Sequence, residues 1–329
     1  MTQATPVKKH GRLQRLLHSD EVSVIIPLLA IMLITTLFRR DFLTVKNFSA
    51  MFTQIPFIAI VALGASFTLM TGNVDISTGR VAGFAGILMA TLCVDHGWSA
   101  GPAIIAALVA GALVGLFNGF LVVYMGVPDF VATMGTLYMV GGARYLFIKG
   151  YELTMGKSRA AGVIEFFDRR ILGMPPYFWI MLVLFAIVFV VIKKTLWGRR
   201  LLACGDNREV AALAGINVKR MRMTAYTLCA VLAAIAGILL TLDLGIGKPE
   251  TGDGWEFRAI AGCVVGGVSL SGGKGSPLGV LIGVTLVFVA ENAIIFLGMP
   301  TTMRIAIQGA LMAGAVLFDI FRQKRKVPA

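Results

Sequence analysis

The chain has 329 residues, 57% of them hydrophobic and only 14% charged, with a mean hydropathy of +0.83. That composition excludes a pair of soluble domains and implies a polytopic membrane protein. The formal charge of +13 comes from 30 Lys and Arg against 17 Asp and Glu, and the basic residues gather at both ends and around 193–222, as membrane-surface anchors do and a nucleic-acid footprint does not.

The first run, Val22 to Phe38, follows Lys8, Lys9, Arg12 and Arg15 and ends in Arg39-Arg40-Asp41 without small residues. It reads as a retained first helix rather than a cleaved signal peptide. Further apolar runs occupy about 55–71, 80–94, 102–125, 128–148, 175–192, 221–242, 257–270, 277–297 and 303–321, which makes about ten transmembrane helices in an all-α chain, some broken or re-entrant. If they alternate across the bilayer, both termini and the 193–222 segment share a side. That side holds 17 Lys and Arg against 10 on the other, which makes it cytoplasmic.

Two interruptions resemble each other. Gly72-Asn73-Val74-Asp75-Ile76-Ser77-Thr78-Gly79-Arg80 and Gly266-Gly267-Val268-Ser269-Leu270-Ser271-Gly272-Gly273-Lys274 match at four of nine positions at a fixed offset of 194, the pattern of an internal repeat. Gly and Ser unwind helix, and freed backbone groups at membrane depth persist only inside protein or along a wet cavity, so both breaks are expected beside a solute path. Polar residues near the breaks or within apolar runs are the path-lining candidates: Asn73, Asp75, Ser77, Asn118, Thr133, Thr136, Ser269 and Ser271, each equally compatible with a helix–helix hydrogen bond. The rows Gly111/Gly115/Gly119 and Gly275/Gly279/Gly283 are expected to be close helix packing.

Catalytic motifs are missing. With Lys274 as a P-loop lysine, the first glycine falls on Val268 and the Ser/Thr position on Gly275, so the Gly266–Ser276 stretch is no nucleotide site. Cys93, Cys204, Cys229 and Cys263 lack CxxC spacing, and His10, His18 and His96 fall outside the apolar runs. No disulfide framework, metal, cofactor or catalytic residue is expected. Glu291 is the one acid plainly inside a span, read as a structural partner for a neighbouring helix or as the acid of an ion-coupled secondary carrier. The mixed-charge stretch Gly245 to Arg258 reads as an outer loop.

Between 193 and 222, Asp206 and Glu209 have capping-box spacing, the residues through Ala214 favour helix, and Gly215 is placed to end it with Ile216 packing behind. A helix of about two turns is unstable alone. Its apolar side, Val210, Leu213 and Ala214, suits a groove on another protein, or else the lipid surface.

The combination of Thr71 to Gly79, Val127-Pro128-Asp129-Phe130-Val131-Ala132-Thr133-Met134-Gly135-Thr136, the Gly205–Ile216 segment and Ala259-Ile260-Ala261 through Gly266–Ser276 resembles the permease subunit of bacterial ABC importers for monosaccharides, of the ribose, xylose, rhamnose and autoinducer-2 type, over about 45–320. The resemblance implies a ten-helix permease fold and a multi-pass protein of the bacterial inner membrane. Its implied partners are a second permease (homo- or heterodimer), a cytoplasmic ATPase, a periplasmic sugar-binding protein and membrane lipid, with no nucleic acid. Residues 1–21 and 322–329 would be cytoplasmic tails and 22–321 the transmembrane domain. Asp206, Asn207, Glu209, Val210, Ala212, Leu213 and Gly215 would form the helix that couples to the ATPase. Arg80 beside the first break, Asp129 where the family has a small residue and the charge within 144–170 depart from the family pattern.

Overall fold

The computed structural model describes residues 20–148 and 152–300, with seven single positions between 303 and 317. The expected run 303–321 and both tails therefore lie largely outside the described residues. The rest is helical: α1 (Asp20–Phe38), a 3₁₀ turn (Arg40–Leu43), α2 (Val45–Met70), α3 (Thr78–Val94), α4 (Ala100–Val123), α5 (Asp129–Ile148), α6 (Ala161–Asp168), α7 (Pro176–Lys194), α8 (Leu196–Asp206), α9 (Arg208–Leu213), α10 (Val218–Leu244), α11 (Trp255–Val265) and α12 (Pro277–Phe296). Two short strands, β1 (Leu153–Thr154) and β2 (Ile246–Gly247), pair antiparallel. Five helices, α2, α4, α7, α10 and α12, are long and apolar enough to cross a membrane, and α1 and α3 are shorter apolar helices.

Local chemistry sets several boundaries that hydropathy alone misses. α2 starts ten residues before its apolar run because the Thr44 hydroxyl accepts from the Asn47 N–H. α10 starts at Val218 because the Asn217 side chain accepts from the Arg220 N–H. Helices α6 and α8 and the β1–β2 pair were not expected from the apolar pattern.

Helix α10 sits at the centre, against α2, α3 and α4. The first glycine row lets α4 lie on it: a Cβ at Gly115 would stand 2.6 Å from the Tyr226 carbonyl oxygen, and one at Gly111 2.7 Å from Ala234 Cβ. The second row does the same for α12 on α11, where Gly279 and Gly283 back onto Gly266 and Gly262. Both rows are packing surfaces, as their spacing suggests.

The Gly245–Arg258 stretch is not an outer loop. Its first residues pair with β1, and Lys248 meets Glu152 at 3.2 Å. The chain then descends along α3, with Gly247 against Ala90, Thr251 against Gly83 and Gly252 against Gly79, a drop of about 16 Å of helix. Gly252 has φ +83, and a Cβ there would collide with the Gly79 carbonyl. Helix α11 therefore begins inside the protein, and Asp253, Glu256 and Arg258 all find partners or burial there. Glu256 is 3% exposed. Arg258 pairs with Glu291 at 3.3 Å, which makes Glu291 a structural partner of α11.

Candidate functional site at the two helix breaks

Both breaks begin with the same backbone device. At the end of α2 the Gly72 N–H bonds the Leu69 carbonyl and the Asn73 N–H reaches back to Thr68, with Gly72 at φ +67. At the end of α11 the Gly267 N–H bonds Val264 and the Val268 N–H reaches Cys263, with Gly267 at φ +87. Each is a Schellman C-cap, in which the glycine takes the left-handed conformation that an L side chain resists. The structural correspondence is Gly72 with Gly267, one residue off the offset of 194 read from identities. The breaks also differ in length, since α3 restarts at Thr78 and α12 only at Pro277. What the two share is the mechanism for ending a helix, without a common register.

The breaks meet. The Gly273 N–H donates to the Met70 carbonyl at 3.0 Å, and a Cβ on Gly72 would touch the Ser271 carbonyl at 3.0 Å. Gly205 of α8 fits between Met70 and Gly273 so closely that a Cβ would overlap both. The freed backbone is thus buried within protein and pressed against the α8–α9 segment.

Beyond Gly72 the chain runs extended and is held by polar side chains on its neighbours. Asp129, the first residue of α5, accepts from Asn73 Nδ2 at 3.2 Å and from the Val74 N–H at 2.8 Å. The Ile76 N–H donates to Thr133 Oγ1 at 3.3 Å. Asp75 Oδ1 accepts from the Ser77 N–H and hydroxyl at 2.9 and 2.6 Å. Asn118 of α4 donates to Ser77 Oγ at 2.9 Å and to Asp75 Oδ2 at 3.4 Å, and accepts from Thr136 Oγ1 at 2.6 Å. Six of the eight sequence candidates, Asn73, Asp75, Ser77, Asn118, Thr133 and Thr136, therefore form one buried network fixing the first break to α4 and α5. Ser269 and Ser271 lie apart from it in the second break, Ser269 buried and Ser271 exposed.

Three residues outside that candidate set complete the arrangement. Arg208 Nη2 donates to the carbonyls of Thr71 and Gly72 at 3.2 and 3.0 Å and to Asn73 Oδ1 at 3.3 Å. Arg222 Nε donates to Asn73 Oδ1 at 2.9 Å. The Arg208 bonds to Thr71 and Gly72 satisfy backbone acceptors that the end of α2 leaves free. Asp129 was visible as an acid after Val127-Pro128, a helix-start signal; nothing local in the sequence ties Arg208 to a segment 136 residues away.

Arg208 opens α9, whose cap is displaced from the expected one. Asp206 is still helical at the end of α8, and Asn207, extended at φ −154, caps α9 by accepting from the N–H groups of Glu209 and Val210, both at 3.0 Å. The Asp206/Glu209 spacing is that of a capping box, but a cap residue must leave the helical region, and only Asn207 does. The other end follows expectation: Gly215 at φ +78 and the Ile216 N–H on the Ala211 carbonyl make a third Schellman cap, and Ile216 packs on the core. Ala211 is buried against the protein, while Val210 is 60% and Leu213 89% exposed.

Residues 47–316 match the family model described as the branched-chain amino acid transport system permease component. The chain belongs to this permease family. Among curated relatives, the autoinducer 2 import system permease protein LsrC of Escherichia coli O157:H7 is 29% identical over 302 residues, covering 92% of this chain and 87% of that protein. Its counterpart in Salmonella choleraesuis (strain SC-B67) is 30% identical with 92% and 86% coverage, and that of Shigella flexneri 29% with 92% and 87%. No solved structure matches. The resemblance read from the Gly-rich motifs is borne out, and the protein is a transmembrane permease of an import system.

Proposed function

We propose that this permease is the membrane subunit of an ABC importer in the bacterial inner membrane, moving a monosaccharide or similar small polyol. It works as one of two permeases, homo- or heterodimeric, beside a separate cytoplasmic ATPase and a periplasmic binding protein. In this reading the run 303–321 supplies a tenth span, and both termini and α8–α9 face the cytoplasm. The names of the LsrC relatives and the excess of Lys and Arg on the α8–α9 side support it.

The observation that carries the mechanism is Arg208. It belongs to a short helix with an unpartnered apolar face, Val210 and Leu213, and its guanidinium grips the carbonyls at the first break. A partner that seats Leu213 and shifts α9 by a few ångströms pulls on Thr71–Asn73 directly. Asn73 passes that displacement to Asp129 and α5, and Gly205 passes it to Gly273 and the second break. The permease thus holds two packings in balance, and ATP-driven closure of the partner selects between them. The polar network around Asp75 is where the extended backbone and the solute path would meet.

The test is to reconstitute the permease with its ATPase and binding protein and compare Leu213→Ala and Glu209→Lys with the parent. Both variants should insert and fold, yet hydrolyse ATP without matching uptake. Unchanged coupling in both would remove α9 from the mechanism. Accumulation of solute by the permease alone, abolished by Glu291→Gln, would replace the reading with an ion-coupled secondary carrier.

A further inference from the structure

A cavity of about 460 Å³ lies apart from the Asp75 network, among α2, α7, α10, α11 and α12. It sits at the Leu244 end of α10, about 40 Å along that helix from Val218 and so at the end away from α8–α9. Asp243 and Tyr177 stand at the ends of α10 and α7 that meet there, and Gln54 lies nine residues after the Val45 start of α2, about 14 Å further in.

Part of the lining is aromatic. The Phe57 ring packs on Tyr177 with centroids 4.8 Å apart and on Trp255 at 6.4 Å, the last two planes within 22° of each other. Phe57 and Tyr177 are buried in the core, whereas Trp255 is half-buried. The rest of the lining is mostly polar, and its polar groups are accessible. Asp243 faces the Tyr177 hydroxyl and the Arg170 guanidinium. Asp243 is only half-buried, while Arg170 and Gln54 are exposed, and Gln54 has no hydrogen-bond partner among the described residues. A carboxylate has about four acceptor positions and a guanidinium five donors, so the Asp243–Arg170 pair keeps both kinds in hand. The charges balance. Arg170 is matched by Asp243, with Asp168 close to it, and Arg258, the other cation of the lining, is held by Glu291 at 3.3 Å. Nothing here selects an ion. An acyl chain in this space would strip water from Gln54, Asp243 and Arg170 and give no hydrogen bond back. Rings and an ion pair serving only the fold would close on one another, whereas these surround a volume within the range of ligand pockets, about 300–1,000 Å³.

We infer that this cavity is an outer recognition site for a neutral monosaccharide, whose apolar ring face lies on the Trp255–Phe57–Tyr177 aromatic group and whose hydroxyl groups bond to Gln54, Asp243 and Arg170. A sugar ring has one face of C–H groups, which suits the negative face of an aromatic ring, and a rim of hydroxyls that each donate and accept, which suits a carboxylate beside a guanidinium and an amide. The inference deepens the importer reading and rests on it for the class of solute: the permease then adds selectivity of its own before the path reaches the helix breaks.

The experiment uses the permease–ATPase complex in nanodiscs, with ATP hydrolysis recorded first, and then calorimetric titration with D-ribose, D-xylose, L-rhamnose and D-galactose, and with D-galacturonate and D-galactosamine as charged probes. At least one neutral sugar should bind, about tenfold or more tighter than either charged probe. Gln54→Leu, which breaks no bond within the protein, should weaken that binding about tenfold, as should Asp243→Asn. Trp255→Leu should weaken it as much, and Trp255→Phe should restore part. Gel-filtration elution and Tm check the fold of each variant, and Gln54→Leu decides where a Trp255 variant fails to assemble. No binding of any neutral sugar, tighter binding of a charged probe, or neutral-sugar binding that survives both Gln54→Leu and Asp243→Asn overturns the inference, and in each case ATP hydrolysis by the assembled complex leaves the importer reading standing. A permease that assembles with no ATPase removes that reading and the solute class with it.

Discussion

Asp75 is 1% exposed, and a carboxylate survives such burial only where donors reach both oxygens. Ser77 serves one and Asn118 the other, and Asn118 is itself held by Thr136. Asn118→Leu therefore strips the donor from Asp75 Oδ2, at about 1–3 kcal/mol for the orphaned oxygen, while Ser77 Oγ keeps its bond to Asp75 and Thr136 Oγ1 its bond to the Ala132 carbonyl. Thermal unfolding of the purified permease in detergent should show a clear loss of Tm. Glycines give an internal contrast. Gly115→Ala drives a methyl into the α10 backbone and should destabilise by about 1–3 kcal/mol. Gly135→Ala in α5 meets nothing within 4 Å and should be neutral or stabilising by about 0.5–1 kcal/mol, read by the same melt. Burial pushes the Cys204 thiol up, and the nearby Arg208 and Arg222 only partly offset it. Cys204 should therefore resist maleimide at neutral pH in the folded protein and react once detergent and denaturant open α8. The sequence marked Asn73, Asp75, Ser77 and Asn118 because polar residues in apolar runs are costly and so stand out. It gave no sign of Arg80 or Arg144 as partners of Asp253, since that cluster exists only once the 248–254 segment has folded down along α3.

At the scale of elements, α9 is short enough that its cap decides whether it forms. Asn207→Ala removes the acceptor for two N–H groups and should cost about 1 kcal/mol of local helix stability, seen as faster amide exchange across 208–214. Arg208→Ala is the sharper test, because it cuts the bonds from α9 to Thr71, Gly72 and Asn73 while leaving the exposed Val210/Leu213 face intact. Hydrogen bonds to a charged group are worth about 1.5–3 kcal/mol, roughly a ten- to hundredfold shift between two packings. Uptake should fall by that order while the ATPase still binds. Apolar periodicity revealed α4, α7, α10 and α12 within a few residues, since each is one long greasy run. It misplaced the cap of α9 because the Asp206/Glu209 spacing is satisfied whether or not Asp206 leaves the preceding helix, and here α8 keeps it. It read 245–258 as an outer loop because five charges without period look solvated, whereas their depth is set by residues more than a hundred positions earlier.

For the whole molecule, α10 is a fixed post on which α4 is locked by glycines, and the two breaks are the places where backbone can shift without tearing a helix ladder. Both breaks touch α8–α9, so one small segment addresses both at once. In the proposed mechanism the energy that moves it comes from the separate ATPase. The direct measurement is solute uptake into proteoliposomes holding the permease alone, with its ATPase, and with its ATPase and binding protein, each supplied with ATP. Accumulation against a gradient only in the complete system, lost on Arg208→Ala with ATP hydrolysis retained, is the predicted result. Uphill accumulation by the permease alone would contradict the account.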